Sequence, residues 1–292
     1  MELSIKNIKK SFFKKEVLQG LNLNLTPGIY ALVGTNGAGK STLMQILTGL
    51  ISTDDGEILL NGIRINPYDS EFSKIIGYLP QETPIYKNFP ANKFLLYLAT
   101  IKGVEKDKRL EKVNQALKMV NLAEDSHTKL KDLSGGMKRR IGIAQLLLDD
   151  PDFIIVDEPT VGLDPKERMR FYNILSTISK DKIVILSTHI MSDISSVAKE
   201  ILLMKDGEII KQGSPQKLLS ELEKIVWSVD VTFNELLEIE AHFQTGAVKQ
   251  LESNLHNIRV LSKTKPHENA VLEIPELEDL YLYYLDGEIL ND

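Results

Sequence analysis

The segment Gly34-Thr35-Asn36-Gly37-Ala38-Gly39-Lys40-Ser41 carries the residue types that anion chemistry at a backbone turn requires, in the order GxxxxGK(S/T). Glycines let backbone N–H groups turn inward and approach phosphate oxygens closely, and a helix that follows adds its positive end. Lys40 is spaced to reach the β- and γ-phosphates of a nucleotide, and the Ser41 hydroxyl to coordinate Mg²⁺. Thr42 follows at the start of the same helix.

Two further stretches could work with that turn. The run Phe153-Ile154-Ile155-Val156-Asp157-Glu158 reads as an apolar strand ending in two adjacent carboxylates. A buried strand that delivers Asp157 at its C-terminal edge can hold Mg²⁺ opposite Ser41, the arrangement of phosphate-loop NTPases. Glu158 then stands where a base orients the attacking water. Apolar strands ending in acids are common by themselves, so this one gains meaning from the phosphate turn. The second stretch, Leu133-Ser134-Gly135-Gly136-Met137, opens a helix with a hydroxyl and two glycines. Such an opening is either an anion site, with free N–H groups at a positive dipole end, or a plain N-cap.

The elements that must position these residues can be read from apolar periodicity. Strands are expected over residues 3–8 and 17–25, then a buried one over 29–33 running straight into the glycine-rich turn. Residues 41–50 have helical spacing, with Gly49 placed to end the helix. Short strands follow at 57–60 and 75–78, and the pattern from 91 to about 130 is helical throughout. Beyond it come a helix over 136–148, strands at 153–156 and 183–187, and a helix over 165–179 between them. A parallel sheet with crossover helices is the natural architecture.

The expected fold is therefore α/β: a phosphate-loop NTPase core with N-terminal antiparallel strands, an inserted helical subdomain at about 91–148, and a small C-terminal α+β domain. The core spans residues 1–222 and the accessory domain 223–292. In the latter, strands are expected at 225–232, 247–251 and 258–261, an exposed loop at 262–269, and a helical piece from Pro275.

With those elements in place, the chain resembles the ATP-binding cassette (ABC) family over about residues 1–220, whose signature LSGG opens a helix as it does here. Other family motifs recur in order. Gln81 in YLPQE matches the glutamine loop, Gly162-Leu163-Asp164-Pro165 the loop after the catalytic glutamate, and His189 in LSTH the switch histidine. Phe12 matches the aromatic that stacks on adenine, a role Phe13 beside it could take instead. Thr35 stands where the family often has proline and Met137 where it often has glutamine; neither change removes a phosphate-contacting group.

The resemblance implies a subunit that binds and hydrolyses ATP with Mg²⁺, driving transport through a separate membrane-spanning permease from the cytoplasmic face. It implies head-to-tail pairing with a second ATP-binding subunit, in which Ser134, Gly135 and Gly136 of one chain meet the nucleotide held by Gly34–Thr42 of the other. Gln81 would join Ser41 and Asp157 in serving Mg²⁺, while His189 senses the γ-phosphate and Glu158 polarises water. The form LSGGMKRR and the ending ELEDLYLYY are most similar to bacterial exporters of drugs, peptides and polymers.

Bulk properties and missing motifs exclude other classes. No cysteine occurs, which rules out disulfide frameworks and thiolate metal sites. The net charge of −6 speaks against a nucleic-acid partner. The N-terminus lacks the apolar run of a signal peptide, and nowhere do about 18 uncharged apolar residues follow one another as a spanning helix needs. A soluble ABC ATPase acting on ribosomes or DNA is the rival reading. Ribosome-acting members carry two phosphate loops, and DNA-repair members a long coiled coil before the signature, whereas here that interval is about 90 residues without sustained heptads. A guanine-specific NKxD is also absent, since Asn92-Lys93 runs on into Phe94-Leu95.

Overall fold

The sheet at the centre of the computed structural model, which describes residues 1–81, 86–252 and 254–286, follows from four apolar runs. In chain order, β1 (Leu3–Phe12) and β2 (Lys15–Leu25) form an antiparallel hairpin, and β3 (Gly28–Gly34) leads through the glycine-rich turn into α1 (Lys40–Leu47). Next come β4 (Asp55–Leu60), β5 (Ile63–Ile65), the short α2 (Ser70–Ile75) and β6 (Ile76–Leu79). Three helices follow, α3 (Ala91–Ile101), α4 (Arg109–Met119) and α5 (Gly135–Leu146). The chain then alternates through β7 (Phe153–Asp157), α6 (Pro165–Ile178), β8 (Ile183–Ser187), α7 (Met191–Ile194), β9 (Glu200–Lys205), β10 (Glu208–Gly213) and α8 (Pro215–Ser220).

The central sheet has the order β10-β9-β3-β8-β7-β6, parallel except for β10. Its middle strands are apolar through their centres because both faces are covered. Ile29, Ala31, Val33, Ile154, Val156, Val184, Leu186, Ile201 and Leu203 face the cluster that includes α3 to α6. Tyr30, Leu32, Phe153, Ile155, Ile183, Ile185, Leu202 and Met204 face a second cluster with α1 and the antiparallel sheet β2-β1-β4-β5. Each such aliphatic side chain stabilises the fold by about 1.5–3 kcal/mol through burial. The N-terminal antiparallel strands and the helices after Ala91 thus stand as the sequence implies.

The end of the chain departs from expectation. After β11 (Val226–Thr232) comes a helix, α9 (Phe233–His242), before β12 (Gln244–Glu252), β13 (Leu255–Leu261) and β14 (Val271–Leu272). These strands form a third sheet, β12-β13-β11-β14, and Leu236 and Ile239 of α9 cover its Val229, Val231, Ile258 and Val260. Thr232 and Glu235 close a capping box at the start of α9, which is why the helix begins there. The last helix, α10 (Leu277–Tyr281), and the π turn Leu282–Asp286 bridge this sheet and the central core. Arg259 of β13 donates to both Asp279 carboxylate oxygens and Gln244 Nε2 of β12 to the Leu282 carbonyl, while the apolar side chains return to the central core. Leu277, Leu280 and Leu285 are buried in the same cluster as Met191, Ile194, Leu218 and Leu222. Glu221 ties down the same segment, accepting from Lys211 Nζ (2.7 Å) and from the Tyr284 hydroxyl.

Candidate nucleotide site

Because β3, β7 and β8 run parallel, Gly34, Asp157 and Ser187 emerge at one edge of the sheet. Open α/β sheets bind ligands in the crevice outside that edge. A cavity of about 280 Å³ lies there, lined by Asn36, Gly37, Gly39, Lys40, Ser41 and Thr42 of the turn and the start of α1, Asp157 at the end of β7 and Glu158 just after it, and Lys15 and Val17 of β2. The turn is shaped from within. Gly39 caps α1 at φ 106°, and a Cβ on it would lie 2.8 Å from Met204 Cε and 2.9 Å from the Val17 carbonyl oxygen. Only glycine meets both demands at this position. Lys40 Nζ donates to the carbonyls of Gly34 (2.7 Å) and Thr35 (3.0 Å), so the ammonium is folded over the turn whose N–H groups a phosphate would use. Burial pulls Lys40 below the usual lysine range, against the opposing pull of the Glu158 and Asp157 carboxylates.

The two acids are held differently. The Ser187 hydroxyl, fully buried, donates to Asp157 Oδ1 (2.6 Å) and accepts from the Glu158 backbone N–H (2.8 Å). One side chain thus aims the first carboxylate and pins the backbone of the second. Glu158 takes φ 40°, a left-handed conformation that costs a non-glycine residue about 1–3 kcal/mol and persists only where its surroundings impose it. Its carboxylate meets Gln81 Nε2 at 3.2 Å and lies 3.7 Å from His189 Nδ1. Residues from two other motifs therefore converge on Glu158.

Other sequence-predicted residues lie outside that cavity. Ala38 is buried beneath the turn, its N–H donating to Thr35 and its carbonyl accepting from Gly207. Ser134 and Gly135 are exposed at the start of α5, where Ser134 Oγ accepts from the Met137 N–H (3.2 Å), and Gly136 beside them is buried. Asp164 caps α6, accepting from the Glu167 N–H (2.9 Å) ahead of Pro165. Phe12 is 43% exposed at the end of β1 with Lys10 Nζ 5.5 Å from its ring, and Phe13 is fully exposed. Sequence reasoning missed Lys15, Val17 and Ser187. The first two enter the site only through the hairpin's return, and Ser187 gives no signal beyond ending a strand two residues before His189.

The match to the ABC transporter family model covers residues 18–161. The linearmycin resistance ATP-binding protein LnrL of Bacillus subtilis is 30% identical, with 99% of this chain and 100% of that protein covered. The chain belongs to the ABC transporter ATP-binding proteins. The lantibiotic transport ATP-binding protein SrtF of Streptococcus pyogenes is 38% identical, over 75% of this chain and 95% of that protein. Among solved structures, cbiO1 from Clostridium perfringens, part of the ABC transporter complex cbiONQ, aligns with a TM-score of 0.70 at 26% identity. That alignment covers 75% of this chain and 90% of that one. A dimeric ATP-binding cassette in a post-hydrolysis state, bound to ADP and Pi, aligns with a TM-score of 0.64 at 26% identity. It covers 73% of this chain and 98% of that one. This chain is accordingly an ATP-binding, ATP-hydrolysing subunit of an ABC transporter. ABC ATPase subunits of this kind dimerise and work with transmembrane permeases. Among the described residues, no helix is long and apolar enough to cross a membrane.

Proposed function

We propose that this subunit powers export through a separate membrane-spanning permease, at the cytoplasmic face of the membrane, as one half of a dimer that clamps two ATP molecules. The carrying observation is the convergence of Gln81 and His189 on Glu158, beside the cavity lined by Lys40, Ser41 and Asp157. In this reading Gly37, Gly39, Lys40, Ser41 and Thr42 hold the phosphates, Phe12 meets the base, and Glu158 orients the attacking water. His189 senses the γ-phosphate. Asp164 sits in the loop that leads away from Glu158, and Ser134, Gly135 and Gly136 serve the nucleotide held by the other chain.

The Ser41 hydroxyl and the Asp157 carboxylate line one cavity, and such hard oxygen donors suit Mg²⁺, which takes its remaining ligands from phosphate and water. Bound there, the ion would neutralise charge on the β- and γ-phosphates. Ser187 keeps Asp157 aimed at that position. Export as the direction is supported by the name of a further relative, the Nod factor export ATP-binding protein I of a Rhizobium species.

Glu158→Gln tests the reading. It keeps the shape and loses the base, so hydrolysis should fall by about 10²–10⁴-fold with ATP affinity unchanged. The variant should accumulate as a dimer on size exclusion with ATP, and wild-type turnover would refute the assignment.

The permease contact is proposed at the aromatic group after Gln81. Of the segment 82–90 that follows Gln81, residues 82–85 lie outside the described residues. Tyr86 stacks on Phe89 with centroids 5.4 Å apart and meets Tyr97 edge-on at 5.6 Å. All three are 40–52% exposed, and such partly bare aromatics are favoured interface anchors. Tyr86→Ala should lower permease-stimulated ATPase in reconstituted vesicles while basal ATPase persists; unchanged stimulation would move the contact elsewhere.

A further inference from the structure

Two adjacent glycines of the signature turn stand in opposite surroundings. A Cβ added to Gly135 would meet nothing within 4 Å, so nothing inside the chain demands glycine there. A Cβ on Gly136 would lie 2.5 Å from Oε2 of Glu167, 2.7 Å from its Cγ and 2.8 Å from its Cδ. Gly136 is therefore glycine for a reason internal to the protomer: the carboxylate arm of α6 fills the space.

Glu167 is an unusual occupant. It is the third residue of α6, the position from which a carboxylate commonly turns back to the cap's own N–H. Here the side chain crosses to α5 instead. Oε1 pairs with Arg170 at 2.5 Å, and Oε2 lies 3.3 Å from Arg140 Nε. Arg140 follows Gly136 by four residues, so both lie on the face of α5 that this carboxylate meets. Its own Nη1 donates to the carbonyls of Val120 and Asn121 at the end of α4. The Arg140 and Glu167 side chains are only 9% and 15% exposed, and Nε and Oε2 form this ion pair without a hydrogen-bond partner for either atom. A buried pair of this kind costs heavily when one member is removed, because the other is left charged and unpaired.

We propose that Glu167 is a positioning residue. By filling the space at Gly136 and holding Arg140, it sets the signature turn Ser134–Gly136 against the Gly162–Asp164 loop that α6 continues. It touches no nucleotide. The inference rests on the two-chain clamp proposed above and adds what holds the lent half-site in place. One carboxylate then fixes the spacing between the half-site a chain lends its partner and the loop leaving its own Glu158.

The test uses the full-length Glu158→Gln chain with ATP and Mg²⁺, reading dimer fraction against ATP concentration by analytical ultracentrifugation. Protomer affinity is measured separately with a fluorescent ATP analogue at high dilution. Gly136→Ala should raise the ATP needed for dimerisation by about tenfold or more. In the Glu167→Ala background, which lacks all three crowding atoms, the same Gly136→Ala change should cost little beyond the loss that Glu167→Ala causes alone through Arg140. Glu167→Gln, equal in volume but uncharged, should weaken dimerisation by about tenfold through Arg140, with protomer affinity unchanged throughout. A Gly136→Ala step that costs as much in the Glu167→Ala background as in the parent, or a Glu167→Gln chain that dimerises like its parent, overturns the proposal. Failure of the parent itself to dimerise strikes the clamp reading instead. The Gly136–Glu167 contact is then judged from unfolding midpoints, where Gly136→Ala must cost less in the Glu167→Ala background than in the parent.

Discussion

The phosphate turn and the signature turn are both glycine-rich starts of helices, yet the protomer treats them differently. Around the first, side chains from β2, β7 and the segments after β6 and β8 converge, and each acid has a fixed partner. Around the second, Ser134 and Gly135 are bare, and Glu167 supports Gly136 from behind. The first half-site holds its chemistry ready before any partner arrives. In the proposed clamp the second offers geometry alone and contributes when another chain's nucleotide reaches it. A clamp built this way lets bound ATP supply the attraction and lets hydrolysis withdraw it.

Three perturbations would break or sharpen that contrast. Lys40→Ala strikes the prepared half-site hardest, because it removes the charge at the β- and γ-phosphates. ATP affinity should fall by about two orders of magnitude or more and turnover should vanish, measured by calorimetry and phosphate release; unchanged affinity would undo the assignment of the cavity.

A smaller loss is expected for Ser187→Ala, which frees Asp157 Oδ1 and the Glu158 N–H at once. One buried polar group left unsatisfied costs about 1–3 kcal/mol, so turnover should drop by about tenfold or more. The Mg²⁺ concentration for half-maximal rate should rise with it. Normal Mg²⁺ dependence would show that Ser187 serves the fold alone.

The mildest change is Ser134→Ala in the bare half-site. Its stability cost is that of one N-cap, about 1 kcal/mol, while the protomer's own ATP affinity stays the same. Only ATP-driven dimerisation, followed by size exclusion in the Glu158→Gln background, should weaken. An affinity loss in the monomer would mean that the signature turn serves its own chain's nucleotide.

Much of this was legible in the residue order. The glycine turn, the apolar run into Asp157 and the run into Ser187 each report local needs: a phosphate cradle, and strands buried on both faces. Other elements were written less plainly. The helix Phe233–His242 falls in a stretch expected to be strand-rich, although Thr232 and Glu235 spell its capping box. The hairpin of β9 and β10 was unassigned, although Asp206-Gly207 is a turn signal between apolar runs. The accessory domain expected over 223–292 has its own sheet and small core, but α10 is buried with α7 and α8. We therefore propose the appendage as an accessory unit over Val226–Leu272, with the final helix assigned to the main body.

By itself, the sequence determined which residues could handle a nucleotide, because that chemistry depends on residue type at short spacing. It also determined the alternation of strand and helix, since apolar period records local burial. Only tertiary structure decided that Ser187 serves both acids and that Gln81 and His189 meet at Glu158. It likewise decided that Glu167, thirty-one residues beyond Gly136, fills that glycine's missing side chain. These contacts join residues far apart in the chain, and their distances are set by how helices and strands pack, which no local pattern encodes.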